Sequence, residues 1–288
     1  MNIKSKNYTK NDISRYYDLS EVHYKLFWNL DKSKSLHYGY WDHTTKNFHE
    51  ALVNANKILA QRAHITKEDT VLDAGCGIGG STVWLAKNIG CKAVGVTLNP
   101  KQQGRAKEYA KEAGVEDLVK FEVNDYTQTG YEDGSFSVIW GMETVCYADD
   151  KADFIREAYR LLRPGGRLII ADFFKQPNLQ GKDAKMIKDW ANGWAINDYA
   201  TREEFETKLK NAGFVNIDIK DETPAIMPSI RRLYRAYLLG VVPSRLYNLL
   251  NPNTTELAKR NVDTAKLQYT SVKKGLWNYL FFYAEKPA

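Results

Sequence analysis

Val71 to Gly80 read VLDAGCGIGG, an apolar run that carries Asp73 and leads straight into the alternating glycines Gly75, Gly77 and Gly79. Glycine lets a backbone turn sharply at positive φ and lets a ligand approach the main chain. The STVWLAKNI that follows has helical spacing, so the loop joins a strand to the N-terminus of a helix, where unpaired backbone N–H groups gather. The stretch reads as a nucleotide-cofactor loop laid across the carboxyl end of a strand.

On either side of this loop, short apolar runs alternate with helical patterns. VLDAG, CKAVGV, LVKFEV, FSVIWG and GGRLIIADFF read as strands, with helices starting near Gly80, Pro100 and Asp150. Such alternation predicts an α/β fold with a mostly parallel sheet and helices on both faces. Pro100 suits a first helical turn, and the RPGG of Arg163 to Gly166 is expected to end the helix carrying FIREAYRLL before the next strand. TREEFETKLKNAGF reads as a helix with Thr201 as N-cap and Glu204 closing a capping box; VNIDIK and the final LWNYLFFYAEKP bring the strand count to seven. Between those last two strands, residues 222–274 form too long an insertion for bare loop, and their apolar spacing predicts a helical cap.

Composition narrows the setting. The 288 residues carry 43% apolar side chains, enough for a large core, and a formal charge of +6 with lysines scattered along the chain. No compact basic tract interleaved with aromatics is present, which argues against nucleic acid as a partner. Cys76, Cys91 and Cys146 lack metal-ligand spacing, so no metal site is expected and the cysteines suit a reducing, cytoplasmic location. The first residues lack the apolar run of a signal peptide, and LYRAYLLGVVPSRLYNLL is interrupted by Gly240, Pro243 and two arginines. A peripheral membrane contact stays open, as does the oligomeric state.

The glycine loop satisfies two templates. Gly75, Gly77 and Gly80 fit a dinucleotide fingerprint, which alone is a weak signal. A dinucleotide site wants an acid at the end of the second strand to hold ribose hydroxyls, but CKAVGVTLNPKQ has Thr97 there. Asp73, two residues before the first glycine, is better placed for the ammonium of an aminoacyl cofactor.

Several further marks favour the second template: YYDLS (Tyr16 to Ser20), HYGYWD (His37 to Asp42), GVTLNPKQ, Asn124-Asp125, METVCYADD (Met142 to Asp150) and LLRPGGRLIIAD (Leu161 to Asp172). With them the chain resembles class I S-adenosylmethionine-dependent methyltransferases, in the branch of sterol, γ-tocopherol-type and natural-product methyltransferases and cyclopropane fatty acid synthases. The resemblance implies a Rossmann-like methyltransferase fold. It implies an N-terminal helical segment, residues 1–63, closing over the cofactor, and a core of residues 64–288 that includes the cap. It further implies that Asp73, Gly75, Cys76, Gly77 and Gly79 hold the methionine and ribose, that Thr97, Leu98 and Gln102 border the ribose, and that Asn124, Asp125 and Tyr126 meet the adenine. Tyr17 matches a tyrosine that closes on the cofactor's carboxylate.

By the same resemblance Glu143 matches the glutamate of the EATCHAPD pattern in sterol methyltransferases, which makes it the candidate active-site acid; a carboxylate merely bonding local backbone is the competing reading. His37 is the candidate base, against a structural role. Trp190, Trp194, Tyr199, Tyr234, Tyr237 and Tyr247 either face a bulky apolar substrate or pack helices. The implied reaction is methyl transfer to carbon or nitrogen of a lipophilic acceptor of terpenoid, sterol-like, quinone-like or polyketide type. The rivals are a cyclopropane or methyl-branched fatty-acyl synthase and a protein that binds S-adenosylmethionine without catalysis.

Overall fold

The computed structural model describes residues 8–28, 30–250 and 256–288. The chain opens with α1 (Lys10–Trp28), the short α2 (Leu30–Ser33) and α3 (Phe48–Arg62). It continues through β1 (Thr70–Ala74), α4 (Gly80–Ile89), β2 (Lys92–Thr97), α5 (Pro100–Ala113), β3 (Val119–Val123) and β4 (Phe136–Met142). Next come α6 (Lys151–Leu161), β5 (Leu162–Lys175), α7 (Gly181–Gly193), α8 (Arg202–Ala212) and β6 (Val215–Asp221). The last elements are α9 (Thr223–Leu250), α10 (Glu256–Lys273) and β7 (Trp277–Glu285).

All seven expected strands form one sheet in the order β3-β2-β1-β4-β5-β7-β6. Strands β1 to β5 run parallel, while β7 is antiparallel to both β5 and β6. Alternation with period two sends neighbouring side chains to opposite layers. Val71, Trp140 and Ile169 pack in one core with α3 and α7, whereas Leu72, Ile139 and Leu168 pack in the other with α6 and α8.

Local chemistry sets the element ends. Asn99 caps α5 through its side chain, Pro100 fills the first turn, and Gly114 closes it in the left-handed region. Thr201 and Glu204 complete the expected capping box on α8. One expectation needs correction. The RPGG stretch does not separate helix from strand: β5 starts at Leu162, and its register against β4 shifts between Phe136 and Val138, so these residues are absorbed as a bulge. In the cap, α9 runs through both Gly240 and Pro243, and no helix among the described residues is long and apolar enough to cross a membrane.

The strand order reverses between β1 and β4: the chain builds outward through β2 and β3, then returns to the other side of β1. In open α/β sheets the crevice beyond the carboxyl ends at such a point is where ligands bind. Asp73, Thr97, Asp125 and Glu143 stand at or just past the ends of β1, β2, β3 and β4 in turn.

Candidate active site

A cavity of ≈ 640 Å³ opens at that edge, well within the size range of small-molecule sites. Its wall near β1 to β3 is polar. Asp73 is buried there, and its Oδ2 accepts a 2.6 Å hydrogen bond from Thr82 Oγ1 in the first turn of α4. Burial pushes the Asp73 carboxyl up to about 7, against the pull of Thr82, and no basic side chain pairs with it among the described residues. A buried carboxyl with hydrogen-bond donors but no paired cation is costly to ionise, and a cation brought beside it would favour the charged form.

The glycine loop lies over β2, where the N–H groups of Gly75 and Cys76 both donate to the Val96 carbonyl, at 3.0 and 2.8 Å. Gly75 has φ of +84°, and a Cβ on it would overlap the Thr144 hydroxyl. Gly77 lines the cavity at φ of +54°, with Leu36 closing over it. Gly79 is different: it lies off the cavity, and a Cβ there would meet Ala106 and Phe121 at 2.8 Å, so its requirement is packing and not ligand contact. Cys76 also lines the cavity, its thiol pushed up by burial.

Thr97, Leu98 and Gln102 line the next stretch of wall, with Thr97 Oγ1 donating to Gln102 Oε1 at 2.7 Å. Asp125 Oδ1 accepts from the Thr127 N–H at 2.9 Å and from its hydroxyl at 2.7 Å. Its Oδ2 is paired with Lys10 Nζ from α1, a partner no local pattern announced. Tyr126 lines the wall and donates its hydroxyl to the Thr144 carbonyl at 2.8 Å. Asn124 does not join them. Its side chain bonds the Thr129 carbonyl and the Asp125 N–H, holding the turn after β3 from behind.

The N-terminal segment forms a second wall. Tyr17 lines the cavity between Tyr16 and Tyr147. Residues 34–38 pass so near α4 that a Cβ on Gly80 would overlap the Lys34 carbonyl. Asn99 ties α1 down by donating to the Ser14 carbonyl at 3.1 Å and to Asp18 Oδ1 at 3.0 Å.

Glu143 follows β4 with φ of +53°, an uncommon conformation for a residue with a side chain. Its Oε1 accepts from the Tyr38 N–H at 2.8 Å and from Tyr279 Oη at 2.9 Å. Burial pushes this carboxyl up to about 8. The carboxyl therefore lines the cavity and also bonds backbone. His37 lines the cavity as well, with Nδ1 facing the Tyr38 carbonyl at 2.9 Å. A carbonyl only accepts, so Nδ1 carries the hydrogen and Nε2 the lone pair; burial pulls this ring down to about 4 and keeps it neutral.

Beyond Glu143 the wall turns apolar, with Phe173, Trp194, Ile196, Leu233, Ala236 and Tyr237. Of the candidate aromatics, Trp194 and Tyr237 line the cavity. Trp190 and Tyr199 are core instead, stacked at 4.5 Å beneath Phe173. Tyr234 stacks at 4.3 Å on Tyr269 of α10, and the side chain of Tyr247 lies outside the described residues. The HYGYWD segment is bound to α9 through Ser229, whose Oγ accepts from the Gly39 N–H at 3.2 Å and from Trp41 Nε1 at 2.9 Å. Tyr40 adds a bond to Glu222 at 2.9 Å.

Comparison with known proteins agrees with this geometry. A family described as Methyltransferase domain matches residues 72–170. The 27-O-demethylrifamycin SV methyltransferase of Amycolatopsis mediterranei is 31% identical over 221 residues, covering 77% of this chain and 80% of that protein. Among solved structures, the [4+2]-cyclase SpnF superposes with a TM-score of 0.79 at 20% identity over 97% of each chain. Geranyl diphosphate C-methyltransferase from Streptomyces coelicolor A3(2) does so at 0.73 and 22% identity, covering 96% of this chain and 97% of that one. These two share the fold. The chain belongs to the S-adenosylmethionine-dependent methyltransferases. Its cofactor is S-adenosylmethionine, and the cavity wall holds groups with the chemistry to receive that molecule's charged aminoacyl end, the buried Asp73 carboxyl and the Gly77 backbone.

Proposed function

We propose that this enzyme methylates carbon or nitrogen of a lipophilic small molecule of terpenoid, sterol-like, quinone-like or polyketide type. The observation that carries the reading is a single cavity that is polar at the ends of β1, β2 and β3 and apolar along β5, the turn after α7 and α9, with Glu143, just past the intervening β4, on its wall. In this reading Asp73 pairs with the cofactor's ammonium, and Gly75, Cys76 and Gly77 admit its methionine part. Thr97, Leu98 and Gln102 border the ribose, and Asp125 with Tyr126 meets the adenine, with Lys10 sharing Asp125. Tyr17 faces the carboxylate. Residues 1–63 then cover the cofactor and residues 222–274 shape the acceptor end.

The bound cofactor supplies a methyl group already activated on a sulfonium. The protein's main task is to hold the nucleophile in line behind it, which can contribute on the order of 7 to 11 kcal/mol. In this reading the ionised fraction of Glu143 takes the proton released by a carbon or nitrogen nucleophile; with the carboxyl held up to about 8 that fraction is a minority near pH 7 but a stronger base than an ordinary carboxylate. His37, pulled down to about 4, is the weaker base of the two. The rifamycin relative acts on oxygen by its name, so the position of the new methyl in the product decides this point.

The test is transfer of labelled methyl from S-adenosylmethionine to a panel of prenylated, polyketide and quinol acceptors. Label should enter at least one lipophilic acceptor, and Glu143→Gln should lower turnover roughly 10²- to 10⁴-fold with cofactor binding retained. Label confined to phospholipid acyl chains would shift the assignment to the fatty-acyl synthase reading.

A further inference from the structure

Helix α9 presents two apolar faces. Leu233, Ala236, Tyr237 and Gly240, spaced three and four residues apart, line the cavity. Leu238, Leu239 and Val242 project from the opposite side and are 53%, 83% and 71% exposed. On that same outer side, one and two turns back, stand the exposed Arg235 and Arg231. A helix with apolar side chains on two opposite faces normally buries both or meets lipid with one, yet this outer face is covered by nothing among the described residues. No helix among the described residues is long and apolar enough to cross a membrane, so the face suits a contact lying in the plane of a bilayer surface.

We infer that the outer face of α9 docks this enzyme on an anionic lipid bilayer, with Leu238, Leu239 and Val242 entering the acyl boundary and Arg231 and Arg235 pairing with headgroup phosphates. The charge argument selects the occupant: basic side chains flanking exposed leucines are what an anionic interface attracts. The net charge of +6 acts in the same direction. Because the cavity-lining face is on the same helix turns, docking would set the acceptor end of the cavity close to the bilayer. That consequence rests on the lipophilic acceptor proposed above; the docking itself does not.

Sedimentation of the full chain with vesicles tests it, comparing pure phosphatidylcholine with a mixture rich in phosphatidylglycerol, and needs neither acceptor nor turnover. The protein should sediment with the anionic vesicles and less so as salt screens the arginines. Leu239→Asp with Val242→Asp should cut partitioning at least about tenfold, and Arg231→Gln with Arg235→Gln should lower it while removing most of its salt dependence. S-adenosylhomocysteine binding serves as the folding control and should match wild type in both double variants. Failure to bind anionic vesicles at low salt would overturn the proposal. So would binding that survives Leu239→Asp with Val242→Asp, or a wild-type dimer in solution that those substitutions dissociate.

Discussion

The two ends of the cavity are built on different principles. At the cofactor end, Asp73, the glycine loop and Thr97 are set by strand ends and by partners within about ten residues, such as Thr82 for Asp73 and Gln102 for Thr97. At the acceptor end, Glu143 is held by groups 105 and 136 residues away, the Tyr38 N–H and the Tyr279 hydroxyl. Both carboxyls are buried and both are pushed upward, but the donors to Asp73 come from Thr82, nine residues on, whereas those to Glu143 come from Tyr38 and Tyr279. Asp73 and Thr97 thus rest on local partners, although Gly75 and Asp125 at the same end also meet Thr144 and Lys10 from distant segments, whereas the bonds that hold the Glu143 carboxyl come only from distant ones.

The sharpest way to break this division is at Gly75. Because φ is +84° and a Cβ would overlap Thr144, Gly75→Ala should weaken S-adenosylhomocysteine binding roughly 100-fold or more, a strain of a few kcal/mol, as read by calorimetry. Near wild-type affinity would show that the loop does not set the cofactor end. Next in size, Asp73→Asn removes the charge but keeps a group that can bond Thr82. It should weaken the same binding about tenfold to 100-fold, the range of a charge-assisted hydrogen bond, while Glu143→Gln should change it by no more than about threefold, the scale of a neutral contact.

The acceptor end is probed by Ser229→Ala, which leaves the buried Gly39 N–H and Trp41 Nε1–H without their acceptor. Unfolding free energy should fall by about 1 to 2 kcal/mol, with cofactor affinity less affected than in Asp73→Asn. Denaturant titration decides it, and an unchanged midpoint would mean that Ser229 does not hold the HYGYWD segment.

The smallest effect separates the two carboxyls by pH. Above pH 7 an unfolded glutamate is ionised, while native Glu143 still binds a proton up to about 8; the native state holds more protons, so stability falls as pH rises. The cofactor-free protein should lose about 1 kcal/mol between pH 7 and 8. Asp73, held up only to about 7, adds a smaller fall, and His37, neutral when folded and mostly so when unfolded, adds little, so Glu143→Gln should remove most of that slope. A slope unchanged in Glu143→Gln would place the titration elsewhere.

This contrast also explains what was legible in the sequence. The seven strands, the glycine loop and the α8 capping box follow from period-two alternation, positive-φ demand and cap chemistry, all of which act within a few residues. Asp125 was readable as a wall residue, but its pairing with Lys10 spans 115 residues and leaves no local mark. Ser229 reaches Gly39 across 190 residues and was equally invisible. Aromatic content could not separate Trp190, which is core, from Trp194, which lines the cavity, because the two lie one helical turn apart and only packing tells them apart. Gly79 and Asn124 show the same limit: the loop and the turn that hold them touch the cavity, but these two residues do not line it and support it from outside.

The most direct measurement of the division is S-adenosylhomocysteine affinity between pH 6 and 8 for wild type, Asp73→Asn and Glu143→Gln. Asp73 must ionise, against a carboxyl held up to about 7, before it pairs with the ligand's ammonium. Affinity should therefore rise with pH in wild type and in Glu143→Gln, and stay weak and flat in Asp73→Asn. A rise that disappears in Glu143→Gln and persists in Asp73→Asn would reverse the assignment of the two ends.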